Sequence, residues 1–589
     1  MPVFAPPLRD HLFCLYELLD FEAHTELPGF EGLSRDVVEA VLGQSARFAT
    51  DVIFPLNRAA DEEGVHFSQG EVRTPRGFRE AYEALVAGGW PGLTASPEHG
   101  GQGMPHMVNV LFEEMLNGAS LAFGLFPGLT RGGYVLLSQH GSAEQKALYA
   151  QKLASGEWAG SMCLTEAHCG TDLGLLKTEA VPRPDGSHAL TGTKIFISAG
   201  EHDLTPNIVY FVLARLPHAP KGSRGISLFL VPKFLVNADG TLGQRNAVSC
   251  GAVEHKMGIH GCPTCVLNFD GATGWLMGEP HQGLKAMFAM MNAERIAVGI
   301  HGLAIAEASY QNAVAYARER LQGRAPSGAR EPGKPADPII VHPDVRRMLM
   351  TQRALTEGCR MLALWTAQAL DVSERHPEPA KRRQADDLVA LMTPVVKAFL
   401  TDAGSDVANL GVQVLGGHGF IRANGQEQYV RDVRITQIYE GTNGIQSADL
   451  LSRKILHLGL FGSFAAPVRA FVTAHEEDEQ LADILRPLAA AFDLLEDSTS
   501  LIREAAAVHP EEPGAAAADY LRLFALTAVA YLWARAAKAS LPRSNESFYR
   551  AKLATARFFM QRILPDAAAL HARIAAGAGV VMEMDEAMF

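Results

Sequence analysis

Apolar positions recur at helical spacing over residues 36–58, where Val37, Val38, Val41, Leu42, Phe48, Val52, Ile53 and Leu56 share a face. Thr74-Pro75 reads as a helix start, with Thr as the cap and Pro in the first turn. Phe78, Tyr82, Leu85 and Val86 follow on one face, and Gly88-Gly89 ends that helix. From about 158 the period changes. Short β-rich runs at Ala159–Leu164, Lys194–Ser198, Ile208–Leu213, Ile226–Val231 and Cys265–Phe269 are separated by turn residues such as Arg183-Pro184-Asp185-Gly186. They predict a small sheet or barrel. After about 283 helical patterns return. Met287, Met290 and Met291 open a stretch that runs to about 322, a Pro/Gly-rich loop covers 324–343, and helices follow over about 344–373 and 384–412. Residues 461–589 are Ala-rich and helical, and no fixed-period repeat runs through the chain.

Composition narrows this order of α, β, α and further α. The 589 residues suffice for roughly four domain-sized units. The net charge of −13 opposes nucleic acid and anionic membranes unless a local basic patch overrides it. No apolar run reaches the roughly 18 residues of a membrane span. The start, Met1-Pro2-Val3-Phe4-Ala5-Pro6-Pro7, lacks the basic-then-apolar layout of a signal peptide. A cytoplasmic protein is expected, without nucleic acid and without a membrane span. Seven Cys are scattered, and Cys262-Pro263-Thr264-Cys265 is the one CxxC. Two Cys with no further ligands nearby do not make a structural zinc site, so no metal is expected. The CxxC reads either as a redox motif or, more blandly, as buried reduced thiols.

Four segments carry candidate chemistry. In Ser161-Met162-Cys163-Leu164-Thr165-Glu166-Ala167-His168-Cys169-Gly170-Thr171-Asp172 a strand enters a turn dense in small polar residues. Such a turn exposes N–H groups and hydroxyls suited to an electron-rich heteroaromatic ring; the bland alternative is a plain strand-to-turn junction. In Gly192-Thr193-Lys194-Ile195-Phe196-Ile197-Ser198 the aromatic and the hydroxyl share a face of one strand. Gln413-Val414-Leu415-Gly416-Gly417 allows close backbone approach to a pyrophosphate, though Gly-rich turns are common. In Ile438-Tyr439-Glu440-Gly441-Thr442-Asn443-Gly444 a carboxylate sits between an aromatic and a polar turn, just before a helical pattern. Desolvation there would raise its pKa toward the range of a general base. The bland alternative is a Glu that complements a helix dipole.

Taken together, these segments resemble the acyl-CoA dehydrogenase family, in order and spacing, over about 35 to 460. The first 35 residues, the 324–343 loop and the tail are most similar to its long bacterial members, which include 3-methylmercaptopropionyl-CoA dehydrogenases and some fatty acyl-CoA dehydrogenases. The resemblance implies an α+β multidomain chain. Its parts would be an N-terminal extension (1–35), an N-terminal helical domain (36–157), a middle β-domain (158–282), a four-helix bundle domain (283–460) and an additional C-terminal helical domain (461–589). It implies FAD, contacted by Leu164, Thr165, Gly170, Thr171, Phe196 and Ser198, with Thr442 and Asn443 also on the cofactor side. Arg320, Gln322, Gln413, Gly416 and Gly417 would bind the FAD diphosphate of a neighbouring subunit. Thr171, Asn292, Arg295, Tyr439 and Gly441 would face the acyl-CoA, and Glu440 would be the base. Two positions depart from the family: Phe196 stands where Trp is common, and Gly323 where Phe often follows Gln322.

The implied reaction is α,β-dehydrogenation of a fatty acyl-CoA or 3-methylmercaptopropionyl-CoA to the trans-2-enoyl-CoA, in fatty acid β-oxidation or a related route. An electron-transfer flavoprotein would accept the electrons, since no G-x-G-x-x-G stretch for a nicotinamide dinucleotide is present. A homodimer is expected, because the diphosphate site needs a neighbour. Two other readings remain: a nucleic-acid-associated member of the superfamily, which the tail's net charge of −5 disfavours, and a catalytically silent flavoprotein, which Glu440 disfavours. A minority of the family places its base one residue before a helix Arg, and Glu294-Arg295 occupies that position here.

Overall fold

The computed structural model describes residues 2–589, which fold as two compact units. One comprises Arg47–Pro105 and Met115–Ala297; the other comprises residues 2–46, 106–114 and 298–589.

The first of these is the mixed α/β unit. Its sheet has seven strands: β1 (Ala159–Cys163), β2 (Glu179–Pro182), β3 (His188–Ser198), β4 (Ile208–Arg215), β5 (Ile226–Pro232), β6 (Val248–Val253) and β7 (Thr264–Met277). The order is β6-β7-β3-β2-β4-β1, and β5 pairs with both β4 and β7. That double pairing closes a ring, β7-β3-β2-β4-β5, so the expected sheet or barrel is a small barrel with β1 and β6 attached. Ring closure removes the exposed edges that an open sheet presents. Along β4, Val209, Phe211 and Leu213 enter one core with Trp158, Met287 and Met290, while Tyr210, Val212 and Ala214 enter another with Phe229, Leu267 and Phe269. Both faces are covered, which is why this strand reads as an unbroken apolar run.

The expected helix at Thr74-Pro75 starts later, at Phe78, and runs to Ala87 with Gly77 as its cap. Thr74 is diverted: its N–H and Oγ1 both donate to Asp203 Oδ1, at 3.0 and 2.8 Å. The pattern over 36–58 resolves into Arg35–Arg47, a wider turn over Phe48–Ile53 and Phe54–Glu63. Helix α1 (Leu121–His140) also belongs to this unit.

Helix α2 (Gly283–Glu319) supplies residues to both units. The helical unit is built on its later part with α3 (Pro343–Arg375), α4 (Pro379–Leu415), α5 (Glu512–Ser540) and α6 (Ser547–Arg562). Two helical stretches, Pro379–Phe420 and Glu512–Arg543, are long and apolar enough to cross a membrane by length and composition, which the run-length reading missed. Their most apolar windows are 72% and 78% buried within the fold. Burial all round a helix requires an apolar composition whether the surroundings are protein or lipid.

The 324–343 loop is ordered around Asp337, which is fully enclosed. Its carboxylate accepts from the N–H groups of Ala325, Arg330 and Glu331 and from Arg324 Nη1, so its pKa is held low, chiefly by the Ala325 N–H. Gly323 enters this loop at φ +70°, a backbone state that a Phe there would adopt only under strain. The departure from the family at that position is therefore a turn requirement.

Candidate active site

In the mixed unit, two of the sequence motifs lie side by side. Lys194, on β3, is completely buried, and its Nζ donates to the Leu164 carbonyl at 2.9 Å and to Glu166 Oε1 at 2.8 Å. The Ile195 N–H donates to the Thr165 carbonyl at 2.9 Å. Glu166 also accepts from Thr178 Oγ1, from the Thr178 N–H and from the Lys177 N–H, at 2.6, 3.0 and 2.8 Å. Burial alone would raise the Glu166 pKa; the Lys194 charge and these hydrogen bonds outweigh it and hold the carboxyl at about 2. The turn 164–171 is thereby pinned to β3, leaving Leu164 and Thr165 half-buried and Gly170 and Thr171 exposed.

Strand β3 carries a bulge. Cys265 pairs with Ile197 and Leu267 with Lys194, so Ile195 and Phe196 stand opposite a single residue of β7. Phe196 takes φ +59° there and is 60% exposed, while Ile197 is buried and Ser198 half-buried. A bulge re-aims side chains, so simple alternation does not describe this end of β3. An outward aromatic beside a hydroxyl and a pinned, N–H-rich turn suits a planar heteroaromatic ring. This is the feature against which a flavin fits.

The ligand atoms of Glu166, His168 and Cys169 lie within 4.8 Å of one another. Both oxygens of Glu166 are already taken, and the Lys194 ammonium opposes a cation. All seven cysteines are free and buried. Burial pushes the Cys262 thiol up to about 11, against the pull of Lys256. That suits the bland reading of the CxxC.

On α2, Asn292 is exposed, whereas Glu294 and Arg295 are buried. Arg295 Nη1 donates to Asn292 Oδ1 at 3.4 Å, and its guanidinium lies 5.9 Å from the Phe288 ring centroid. Burial raises the Glu294 carboxyl to about 7 against the pull of Arg131. A separate cavity of about 970 Å³, lined by residues such as Arg79, Tyr82, Glu201, Asp203, Lys233 and Phe234, contains none of the motif residues.

In the helical unit, Glu440 stands two residues before Thr442, the cap of the short helix Asn443–Ala448. It is therefore outside the first turn, where a dipole role would place it. Its φ is +57°, an unusual state for a residue with a side chain. The surroundings hold that state. Gln446 Nε2 donates to the carbonyls of Glu440 and Gly441, at 3.1 and 3.2 Å. Thr442 Oγ1 accepts from the Ile445 N–H. Asn443 Oδ1 accepts from the buried Lys397 Nζ at 2.8 Å, and its Nδ2 donates to Asp402 Oδ1 at 2.7 Å. The Tyr439 hydroxyl lies 2.9 Å from His301 Nδ1. Thr442 and Asn443 thus hold the turn itself.

Arg320, Gln322, Gln413, Gly416 and Gly417 are all exposed. The backbone of 320–323 is fixed by the Ile339 N–H on the Arg320 carbonyl and the Gln322 N–H on the Asp337 carbonyl. Phe420 and Ile421, 83% and 51% exposed, follow the Gly pair. Sequence reasoning missed Lys194, Lys397, Gln446 and His301. The one available signal was a Lys at an inward-pointing strand position.

Residues 37–157 match the N-terminal domain, 161–272 the middle domain and 281–455 the C-terminal domain of acyl-CoA dehydrogenases. Residues 464–585 match a family described as acetyl-CoA dehydrogenase C-terminal like. A 3-methylmercaptopropionyl-CoA dehydrogenase of Ruegeria pomeroyi is 42% identical, covering 97% of this chain and 98% of its own. A broad-specificity linear acyl-CoA dehydrogenase of Mycobacterium tuberculosis is 32% identical over 99% of both chains. The crystal structure of a Bacillus anthracis acyl-CoA dehydrogenase complexed with FAD shares the fold, with a TM-score of 0.74 over 96% of this chain and 91% of that one at 20% identity.

Proposed function

Because this chain belongs to the acyl-CoA dehydrogenase family, we propose that it uses FAD to convert a fatty acyl-CoA or 3-methylmercaptopropionyl-CoA to the trans-2-enoyl-CoA, with Glu440 as base. The observation that carries the assignment is the braced left-handed turn at Glu440. A residue held at positive φ sits roughly 1–3 kcal/mol above an ordinary conformation, and such strain persists where the surroundings over-determine it, often at functional sites.

Leu164, Thr165, Gly170, Thr171, Phe196 and Ser198 would hold the flavin ring, with Arg320, Gln322, Gln413, Gly416 and Gly417 on a partner's diphosphate. When bound, the flavin supplies the hydride acceptor. Glu440 takes the proton from the α carbon, the β C–H pair leaves as hydride, and the C–H electrons left at the α carbon become the new double bond. The thioester α proton is weakly acidic, so negative charge develops on the thioester oxygen. The Glu440 backbone N–H is assigned as a donor to that oxygen, and one such donor lowers a barrier by roughly 3–4 kcal/mol. Asn292, Arg295, Thr171, Tyr439 and Gly441 are assigned to the acyl-CoA.

An electron-transfer flavoprotein is the proposed acceptor. A homodimer is proposed because the exposed Phe420–Ile421 pair adjoins the diphosphate segment, and contiguous exposed apolar side chains mark association surfaces. The test is anaerobic mixing of the FAD-loaded protein with acyl-CoAs of graded length, including the methylthio-propionyl thioester. Bleaching of the flavin by at least one is expected. A protein that stays colourless after reconstitution with FAD, or a flavin that none of them reduces, overturns the proposal.

A further inference from the structure

Glu440 is held at positive φ from both sides. After it, Asn443 accepts from Lys397 Nζ and donates to Asp402 Oδ1, both on α4. Before it, Gln437 Nε2 donates to the same Asp402 oxygen at 2.6 Å. Tyr439, which leads into the turn, is half-buried and reaches elsewhere: its hydroxyl lies 2.9 Å from His301 Nδ1, on α2. His301 is 4% exposed. A buried histidine bonded to a tyrosine is ordinary in a core. Here the tyrosine is covalently joined to the strained residue, so the bond acts on the turn. The helix that carries His301 is itself fixed against α4. A Cβ added to Gly299 would meet the Val396 carbonyl oxygen at 2.8 Å, and one added to Gly302 would meet Thr401 Cα at 2.7 Å. Glycine at both positions lets the two backbones touch, and His301 lies between them. Helices α2 and α4 thus form one frame, with Lys397 and Asp402 gripping the turn from one helix and His301 from the other.

Resting on the dehydrogenase reading, we propose that His301 is a positioning residue for the reaction. Its hydrogen bond to the Tyr439 hydroxyl fixes the chain entering the Glu440 turn, and so the direction of both the carboxylate and the Glu440 N–H. His301 touches no reacting atom in this assignment. Without the bond, Tyr439 loses this tie to α2, and the base samples directions away from the α carbon. The cost falls on the chemical step, since a catalytic group works at full rate only when it is held in line with the atom it attacks. One net hydrogen bond corresponds to a factor of roughly two to ten, and the expected loss in flavin reduction is of that size.

The test compares the FAD-loaded wild type with His301→Leu, His301→Asn, Tyr439→Phe and the double variant His301→Leu/Tyr439→Phe. Each is mixed anaerobically with hexanoyl-CoA and with the methylthio-propionyl thioester over a range of concentrations. That separates the limiting rate of flavin reduction from the dissociation constant. His301→Leu is expected to slow the limiting rate roughly two- to tenfold, with the dissociation constant within about twofold of the wild type. His301→Asn, whose amide stands where Nδ1 stood and can bond the hydroxyl, is expected to recover most of the rate. Tyr439→Phe should show the same split as His301→Leu, and the double variant should be no slower than the slower single one. An unchanged rate in His301→Leu overturns the inference. A loss that Asn fails to restore and that adds to the loss in Tyr439→Phe also overturns it, by making His301 a packing residue. A loss confined to the dissociation constant overturns it by making His301 a binding residue. If a thermal melt shows that His301→Leu does not fold, Tyr439→Phe decides, and an unchanged rate there overturns the inference. If no acyl-CoA of the graded series reduces the wild-type flavin, the dehydrogenase reading falls and this inference with it.

Discussion

Two residues at left-handed backbone angles, Phe196 at φ +59° and Glu440 at φ +57°, belong to two of the four segments that carry candidate chemistry. Residue type and spacing identified both positions, but nothing in a residue pattern encodes φ. The strain at Glu440 follows from partners far along the chain, such as Lys397 on Asn443, and these are invisible to local reading. Replacing Glu440 with Gln removes the base while keeping the side chain's size. Single-turnover flavin reduction is expected to fall at least roughly a thousandfold, within the range for loss of a general base with its geometry. Glu294→Gln is expected to lose less than about tenfold. The reverse ranking moves the base to α2. Gln446→Leu removes the donor to the Glu440 and Gly441 carbonyls and leaves the carboxyl present. A slower reduction step with little change in KM is expected, and an unchanged rate would show that the turn holds itself.

At the level of elements, legibility tracked length and apolar continuity. Strands β4 and β5 were visible because barrel closure buries them on both faces, whereas only part of the longer, alternately buried β3 and β7 was read. Glu179–Pro182 and Val248–Val253 were not, since the first is short, mostly exposed and ends in Pro and the second carries Ser, Cys and Gly. The bulge in β3 was equally hidden, because register is set by the partner strand. The pinning of the 164–171 turn to β3 by Lys194 yields a prediction. Lys194→Met leaves the Glu166 carboxylate buried without its cation, a change that strands a charge. FAD content after gel filtration is expected to fall well below that of the wild type. The paired change Lys194→Met/Glu166→Gln removes the stranded charge and is expected to retain more FAD than the single change. Equal loss in both would point to Lys194 alone. The 320–343 segment depends similarly on Asp337. Asp337→Ala removes the acceptor of three backbone N–H groups, and limited proteolysis is expected to cut between 324 and 336 faster than in the wild type.

At the level of the whole chain, the order α, β, α, α was legible, while the part played by the two terminal segments was not, because it rests on buried charge. Within the helical unit, Arg360 is completely buried and contacts Asp10 at 2.6 Å, Glu114 at 2.5 Å and Glu307 at 2.6 Å. Lys552, of the C-terminal segment, contacts Asp10 and also Glu357 Oε2 at 2.7 Å, and Glu357 is paired with Arg353 as well. The first residues, the bundle and the tail therefore share one network. Burial would raise Glu114, yet Arg360 and His11 hold it at about 2, below its ordinary 4.5. A depressed carboxyl stabilises the fold above its unfolded pKa, and that stabilisation is lost as pH falls through the folded value. Stability is thus expected to decline between about pH 4.5 and 2.

The two cations in this network are not equivalent. Without Lys552, Asp10 keeps Arg360 and Glu357 keeps Arg353. Without Arg360, Glu114 keeps only His11 at 3.3 Å, and Glu307 keeps a hydrogen bond from Gln311. Leaving buried carboxylates without a cation destabilises by about 3–5 kcal/mol. Arg360→Met is therefore expected to lower the denaturation midpoint substantially more than Lys552→Met at pH 7. The gap should narrow toward pH 3, where protonation relieves the stranded carboxylates. Equal losses at pH 7, or a gap that widens on acidification, would show that the tail is held by apolar packing alone.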